Sequence, residues 1–240
     1  GNILIGDDAG KDVDVDTSDT FKNNVAIGNN ALKFCDPKAA SDTSDDNVAI
    51  GYNAMLNRDS GDSNVAIGRG AMLGGGTCNG DNNIAIGNTA LQRITTGHSN
   101  VCIGTDAGED LTDGFQNVFI GHQAGLDATG DYNIAIGFEA GKSLSHGGSL
   151  GNICIGYKVI GSNGGEYFQT VIGGNASGTD EGKGNNSTLL SGWTVGTSDH
   201  ETYNAENTTV FDTTSDRRIK KNIVDYPSAL SKIEQLQIRN

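Results

Sequence analysis

The chain has 240 residues, of which 36 are glycine, 25 asparagine and only 2 proline, with 6% aromatics and a mean hydropathy of −0.37. So much glycine without a Gly-X-Y period or abundant proline excludes a collagen triple helix. The scheduled return of Ile and Val excludes a disordered chain, and no run of about 18 apolar residues exists to span a membrane. The formal charge of −14, from 16 basic and 30 acidic side chains, argues against a phosphate-binding surface and so against nucleic acid as a partner.

In chain order, the first element is a five-residue unit that keeps returning: Asn, then Ile or Val, a third residue that is usually small, Ile, and Gly. Copies begin at Asn2, Asn24, Asn47, Asn64, Asn83, Asn100, Asn117, Asn133 and Asn152, and a degraded tenth runs from Gln169 to Gly173. The closing glycines are spaced by 22, 23, 17, 19, 17, 17, 16, 19 and 17 residues. Gly1 stands immediately before the first copy, so the sequence reads as a fragment.

Each unit predicts one short strand. In a copy such as Val48-Ala49-Ile50 the two branched residues share one face and the small residue takes the other. The Gly permits a sharp bend or a positive φ. Ala follows at the third position after it, as in Ala31, Ala54, Ala90 and Ala124, and Ser, Asp, Gly, Thr and Asn fill the connecting loops. Strands at a near-fixed period with loops of variable length predict an all-β parallel solenoid, a β-roll of about ten coils over residues 1–173. Stacked at ~4.8 Å, ten coils rise roughly 45–50 Å. The Asn column predicts a hydrogen-bonded ladder up the stack. The insertions at 7–23 and 32–46 should project from one side.

A coil of ~17 residues has room for about four core side chains, which alone fall short of the conformational entropy of ordering it, and with backbone hydrogen bonds between coils the balance is close. A second apolar face packed on identical partners relieves the deficit, and closed cyclic symmetry is the usual solution. The third-position residues (Ala26, Ala49, Ala66, Ala85, Cys102, Phe119, Ala135 and Cys154) are the expected outward face, with Phe119 departing from the small-residue pattern.

Beyond the repeat, residues 174–214 keep β-prone runs at Ser187–Leu190, Trp193–Val195 and Thr208–Phe211, read as a cap or neck that hides the open end of the stack. Composition then changes. Residues 215–240 hold six basic and three acidic side chains, leaving ten basic against 27 acidic before them. Pro227 suits a first helical turn, and Leu230, Ile233 and Leu236 recur at helical spacing, so Tyr226 to Asn240 predicts a short helix.

The Asn-Val-Ala-Ile-Gly-x-x-Ala units resemble the head repeats of trimeric autotransporter adhesins, and still more the repeats of trimeric phage tail fibres and large-virus fibre proteins. That resemblance implies three chains, each wound as a left-handed β-roll, around a threefold axis. The loops are longer and less regular than the adhesin repeat. The run Ser215-Asp216-Arg217-Arg218-Ile219-Lys220-Lys221-Asn222-Ile223 resembles the opening of the endosialidase-type intramolecular chaperone domain at the C-terminus of phage tail spikes and fibres, of which residues 215–240 are only the start. The family chaperone trimerises, guides folding and cuts itself off. Carried over, the scissile bond is Thr214–Ser215, with Ser215 as nucleophile and Lys220 as its base. A hydroxyl needs such a neighbour to take its proton, and burial or nearby cations lower a lysine pKa enough to serve. From spacing alone the same run is a basic linker on a solvated surface.

Weaker signals have plainer readings. Asp12-Val13-Asp14-Val15-Asp16 resembles the start of a calcium loop, but Thr17 stands where Gly is needed and Asn23 where Glu is needed; alternating Asp and Val is also an edge strand. His98, His122, His146 and His200 form no ligand pair, and Cys35, Cys78, Cys102 and Cys154 no disulfide or zinc framework. Asn175, Asn185, Asn186 and Asn207 fit the glycosylation pattern only as an Asn- and Thr-rich chain does by chance.

The expectation is therefore a structural fibre segment of a phage or virus, displayed on the virion. It is a homotrimer used in host-surface attachment, without cofactor, metal or activity on an external substrate. Its partners are its own copies, a host-surface receptor such as a glycan, and other fibre or baseplate proteins, with no membrane insertion. The alternatives are a bacterial trimeric adhesin head, displayed on the cell surface, and a glycan-degrading tail spike, which needs two carboxylates held in a cleft.

Overall fold

The computed structural model describes residues 1–11, 21–33, 43–58, 60–74, 78–144, 149–160, 167–174, 180–181, 188–192 and 200–204. Each intact Asn-[Ile/Val]-x-Ile-Gly unit forms a strand: β1 (Ile3–Ile5), β2 (Val25–Ile27), β3 (Val48–Ile50), β4 (Val65–Ile67), β5 (Ile84–Ile86), β6 (Val101–Ile103), β7 (Val118–Ile120), β8 (Ile134–Ile136) and β9 (Ile153–Tyr157). The degraded copy forms β11 (Thr170–Gly174), after a short β10 (Val159–Ile160) that pairs with β12 (Asp180–Glu181). The ten repeat strands lie parallel in one sheet in sequence order, each unit registered on the same positions of the next, as in Val48 on Val65 and Ile50 on Ile67. The fold is the expected all-β parallel solenoid. From the expected cap, β13 (Thr188–Gly192) adds to β11 in parallel and β14 (His200–Asn204) adds antiparallel. There is no helix among the described residues. The helix expected over 226–240, the runs at 193–195 and 208–211, and most of the insertions at 7–23 and 32–46 lie outside the described residues.

The Asn ladder is present along the whole stack. The backbone N–H of each column Asn donates to the Oδ1 of the Asn one coil earlier, from Asn24 to Asn2 at 2.8 Å through Asn100 to Asn83 at 3.0 Å, to Asn152 on Asn133 at 3.0 Å. Gln169 takes the last rung on Asn152 at 3.0 Å. From Asn2 to Asn133 the Nδ2 groups also reach forward to a carbonyl just before the next strand, as Asn64 to Gly80 at 2.9 Å and Asn117 to Gly130 at 2.8 Å. The side chains from Asn47 to Asn152 are fully buried, so the ladder satisfies the strand ends where water does not reach.

After each strand the chain alternates between ordinary and left-handed backbone. The second residue after the Gly has positive φ in coil after coil, as at Asn30, Asn53, Thr89, Asp106, Gln123 and Glu139, and so does the fourth, as at Leu32, Met55, Met72 and Leu91. This alternation turns successive peptide planes so that their N–H and C=O groups point along the stack. The Leu91 N–H donates to the Ala107 carbonyl at 2.9 Å, and the Thr89 N–H to Arg69 at 2.9 Å. Turns and strands thus bond to neighbouring coils alike. The column glycines fix the corner. Gly87 has φ +143°, and a Cβ there would stand 2.3 Å from the Gly104 carbonyl oxygen.

The core corrects one expectation. The third-position residues point inward, not outward: Ala26, Ala49, Ala66, Ala85, Cys102, Phe119, Ala135 and Cys154 are all completely buried. The Val and Ile on either side of them are half-buried on the outer surface. The reason is width. Across the interior the third position faces the fourth residue after the Gly, and the two columns share one space. Ala26, Ala49, Ala66 and Ala85 leave room for Leu32, Met55, Met72 and Leu91. Where the third residue is large, its counterpart is glycine: a Cβ on Gly125 would meet the Phe119 ring at 2.6 Å, and one on Gly10 would meet Leu4 Cδ2 at 2.8 Å. A coil this flat has no place for branched residues from both walls, so small residues mark its inside. Phe119, the exception to the small-residue pattern, is accommodated by Gly125 opposite it.

Candidate interaction surface

With the third position turned inward, each strand turns two branched residues outward. Parallel register aligns them into two columns, from Val25 and Ile27 through Ile84 and Ile86 to Ile153 and Ile155. The result is an unbroken Val/Ile stripe on a regular sheet, two residues wide and about 40 Å long at the inter-strand spacing. The residues are half-buried along the stack, and Ile3, Ile5 and Ile172 near its ends are 53%, 56% and 40% exposed. A continuous apolar face of this length on a net-acidic chain is a candidate contact surface, unlike apolar side chains scattered singly.

The margins of the stripe carry their own columns. On the side before the Asn, the residue two positions earlier is Asp45, Asp62 and Asp81 in successive coils. Asp45 Oδ1 accepts the Lys22 N–H at 2.6 Å, Asp62 Oδ1 the Asp45 N–H at 2.8 Å, and Asp81 Oδ1 the Asp62 N–H at 2.8 Å. The column continues with His98 and Phe115 and returns to an acid at Asp131, whose Oδ1 accepts the Phe115 N–H at 3.0 Å; Tyr132 stands one position closer to the Asn. His98 stacks on Phe115 with ring centres 5.1 Å apart, and Phe115 meets Tyr132 edge-on at 5.1 Å. On the other side, the residue after the Gly is Tyr52 and then Arg69, whose guanidinium lies 5.9 Å from the Tyr52 ring centre. Further along, His122, Phe138 and Tyr157 stack at 5.2 and 5.3 Å, with the Lys158 ammonium 5.7 Å from the Tyr157 ring. A shallow hollow lined by Tyr52, Asn53, Arg69, Gly70, Leu73, Thr89 and Gln92 opens where Gly70 withdraws a side chain from this margin.

Titratable groups follow their surroundings. Asp8 is held below the usual carboxylate range by Lys33 at 2.7 Å and then Lys11 at 2.9 Å. Glu109 is raised, first by burial and then by repulsion from Asp106 and Asp110. Burial alone pushes the Cys102 thiol far up, which makes it an inert core residue. Cys78 and Cys154 are likewise buried. His98 and His122 are spent in ring stacks, and no group of three metal-ligating side chains occurs among the described residues. Ser215, Lys220 and the Thr214–Ser215 bond lie outside the described residues, as do Asp12–Asp16, His146, Cys35 and the glycosylation-pattern asparagines. No helix among the described residues is long and apolar enough to cross a membrane.

Sequence reasoning missed the two marginal ladders and a buried arginine. Arg58 is completely buried and donates from Nη2 to the Gly80 carbonyl at 2.8 Å, in the seventh position after the Gly that Ile94 and Leu111 fill in later coils. Aligning the repeats on their Asn and Gly brings His98 and Phe115 into one column and His122, Phe138 and Tyr157 into another, a signal that the amino-acid sequence carries by itself. Comparison with protein-family models, with curated proteins and with solved structures gives no match to the chain.

Proposed function

We propose that the chain is a structural segment of a trimeric fibre, carried by a virus or phage and used to reach a host surface. Three solenoids stand parallel with their Val/Ile stripes against a common axis. The observation that supports this most is the stripe itself: an apolar face running along the stack, built of the residues with the highest strand propensity. Its burial against two copies adds to what the narrow core of each chain supplies. The remaining surface, acidic and looped, faces solvent. In this reading residues 215–240 open the chaperone that assembles the trimer, and Ser215 with Lys220 then releases it by cutting after Thr214.

The test is a native mass spectrum of the protein expressed with its natural downstream sequence, beside an Ile86→Ser/Ile103→Ser variant. The expected wild-type species is a trimer of chains ending at Thr214. The variant should keep its β circular dichroism and fall to monomer, and Ser215→Ala should leave the trimer uncut. A monomeric wild type would sink the fibre reading. A trimer of uncut wild-type chains would keep the fibre and remove the Ser215–Lys220 cut.

A further inference from the structure

The second residue after each column glycine stands on left-handed backbone. From the first coil to the ninth it reads Asp8, Asn30, Asn53, Gly70, Thr89, Asp106, Gln123, Glu139 and Lys158, all at φ between +52° and +64°. The side chains of this column bond to one another up the stack. Asn30 Nδ2 donates to Asn53 Oδ1 at 3.0 Å, Thr89 Oγ1 to Asp106 Oδ1 at 2.5 Å, and Gln123 Nε2 to Asp106 Oδ2 at 3.4 Å, while Lys158 pairs with Glu139 at 3.5 Å. Gly70 takes one rung out of the middle.

The backbone does not require that glycine. Asn53 and Thr89 hold the same conformation one coil to either side, and a Cβ on Gly70 would meet only Thr89 Cγ2, at an ordinary 3.7 Å. The missing side chain leaves the hollow at Tyr52, Asn53, Arg69, Leu73, Thr89 and Gln92, about 300 Å³ of space partly open to solvent. The two broken ends of the ladder face it with unlike needs. Asn53 has spent its Oδ1 on Asn30 and keeps Nδ2 as a donor. Thr89 has spent its hydroxyl proton on Asp106 and keeps acceptor lone pairs. Arg69 adds a fork of donors. It lies against the Tyr52 ring, and no carboxylate pairs with it among the described residues.

We propose that this hollow binds a small hydroxycarboxylate, of the size of one acidic sugar unit. The carboxylate accepts from Arg69 and from Asn53 Nδ2, and a neighbouring hydroxyl donates to Thr89 Oγ1, so the ligand stands in for the missing rung. A carboxylate alone leaves Thr89 without a donor. A neutral polyol leaves the guanidinium without an anion, and the charge-assisted bond is the strong one. Only a molecule that carries both groups completes the column. The Gln92 amide, which donates and accepts, holds further hydroxyls, and Tyr52 and Leu73 give the carbon skeleton an apolar wall. Every lining residue comes from one chain, so the site stands or falls apart from the trimeric reading.

The test is saturation-transfer NMR on the full chain with millimolar glucuronate, beside glucose, which lacks the carboxylate, and propionate, which lacks the hydroxyls. Wild type is expected to transfer to glucuronate and much less to the other two. Gly70→Asn restores the rung with the residue that Asn30 and Asn53 already place there. It should abolish the transfer and keep the melting temperature at or above that of wild type. Arg69→Gln should weaken glucuronate about tenfold, the worth of one charge-assisted hydrogen bond. No transfer from wild type to glucuronate, or transfer undiminished in Gly70→Asn, overturns the site. Equal transfer to glucose overturns recognition of the carboxylate, and equal transfer to propionate overturns that of the hydroxyl. A hyaluronan tetrasaccharide separates the sources of such a group: transfer to its glucuronate protons assigns the hollow to a polysaccharide, and transfer to the free sugar alone assigns it to a soluble acid.

Discussion

Coils two to five and coils six to eight share a backbone and differ in what fills it. In the first group the strand contributes an alanine, and Leu32, Met55, Met72 or Leu91 enters from the opposite wall. In the second the opposite wall is Gly108, Gly125 or Gly141, and the space is taken from the strand by Cys102 or Phe119, and in coil eight, where the strand supplies Ala135, by Leu144 from the seventh position after the Gly. The hydrogen-bonded columns do not change between them: Asn64 and Asn117 make the same ladder bonds. The backbone thus holds each coil to one width, and none of coils two to eight carries a large side chain on both walls.

Breaking the filling should have the largest effect. Phe119→Ala should cost about 3–5 kcal/mol in urea unfolding, the usual range for a buried aromatic. Adding Gly125→Leu converts the coil to the first kind and should regain about 1–2 kcal/mol; Leu32 and Leu91 already occupy that position at φ +53° and +54°. In the wild-type background the same Gly125→Leu should destabilise, because its side chain enters the Phe119 ring. If the double variant is no better than Phe119→Ala, the two walls do not share one space.

The constant columns should respond alike in both regions. Gly87→Ala sets a Cβ 2.3 Å from the Gly104 oxygen at φ +143°, and should cost about 3 kcal/mol. Asn64→Ala and Asn117→Ala each strand buried partners above and below, and should cost about 2–3 kcal/mol apiece. A clear difference between those two would mean that the filling, not the ladder, controls the local stability. Gly70→Ala, at φ +64° with its nearest neighbour at 3.7 Å, should cost about 1 kcal/mol or less, as Asn53 and Thr89 hold the equivalent position. All four are read by thermal melts.

The smallest effect belongs to Asp8 in the first coil. Its folded pKa lies below the ordinary value because of Lys33 and Lys11. The stability it adds is present above the unfolded carboxylate pKa and is lost as pH falls through the folded one. Lys33→Met should therefore lower the melting temperature slightly at neutral pH, and the difference from wild type should vanish in acid. The loss stays small because water screens a surface ion pair.

Most of this architecture was legible because the repeat is. The period implied the parallel stack, and the Asn at one fixed point of each coil implied the ladder, since a buried amide in that place has a partner above and below. The direction of the strand faces was not legible. Val48-Ala49-Ile50 alternates whichever side is inside, and the general rule that branched residues go inward fails in a coil too flat to hold them. Positive φ at Leu32, Met55 and Leu91 was equally hidden, because nothing in a Leu or Met announces left-handed backbone. The margin columns were visible in principle, at fixed offsets from Asn and Gly, yet they become meaningful only once the outward face is known.

The bonds between coils run along the stack, in the strands and in the turns. A load applied between the two ends therefore pulls those bonds open one layer at a time instead of shearing many at once. Each coil that gives way releases about 17 residues, or roughly 50–55 Å of extended chain in place of one ~4.8 Å step. Stretched singly, such a rod yields in near-equal increments set by its repeat length, and bundled with two others it holds until all three peel together.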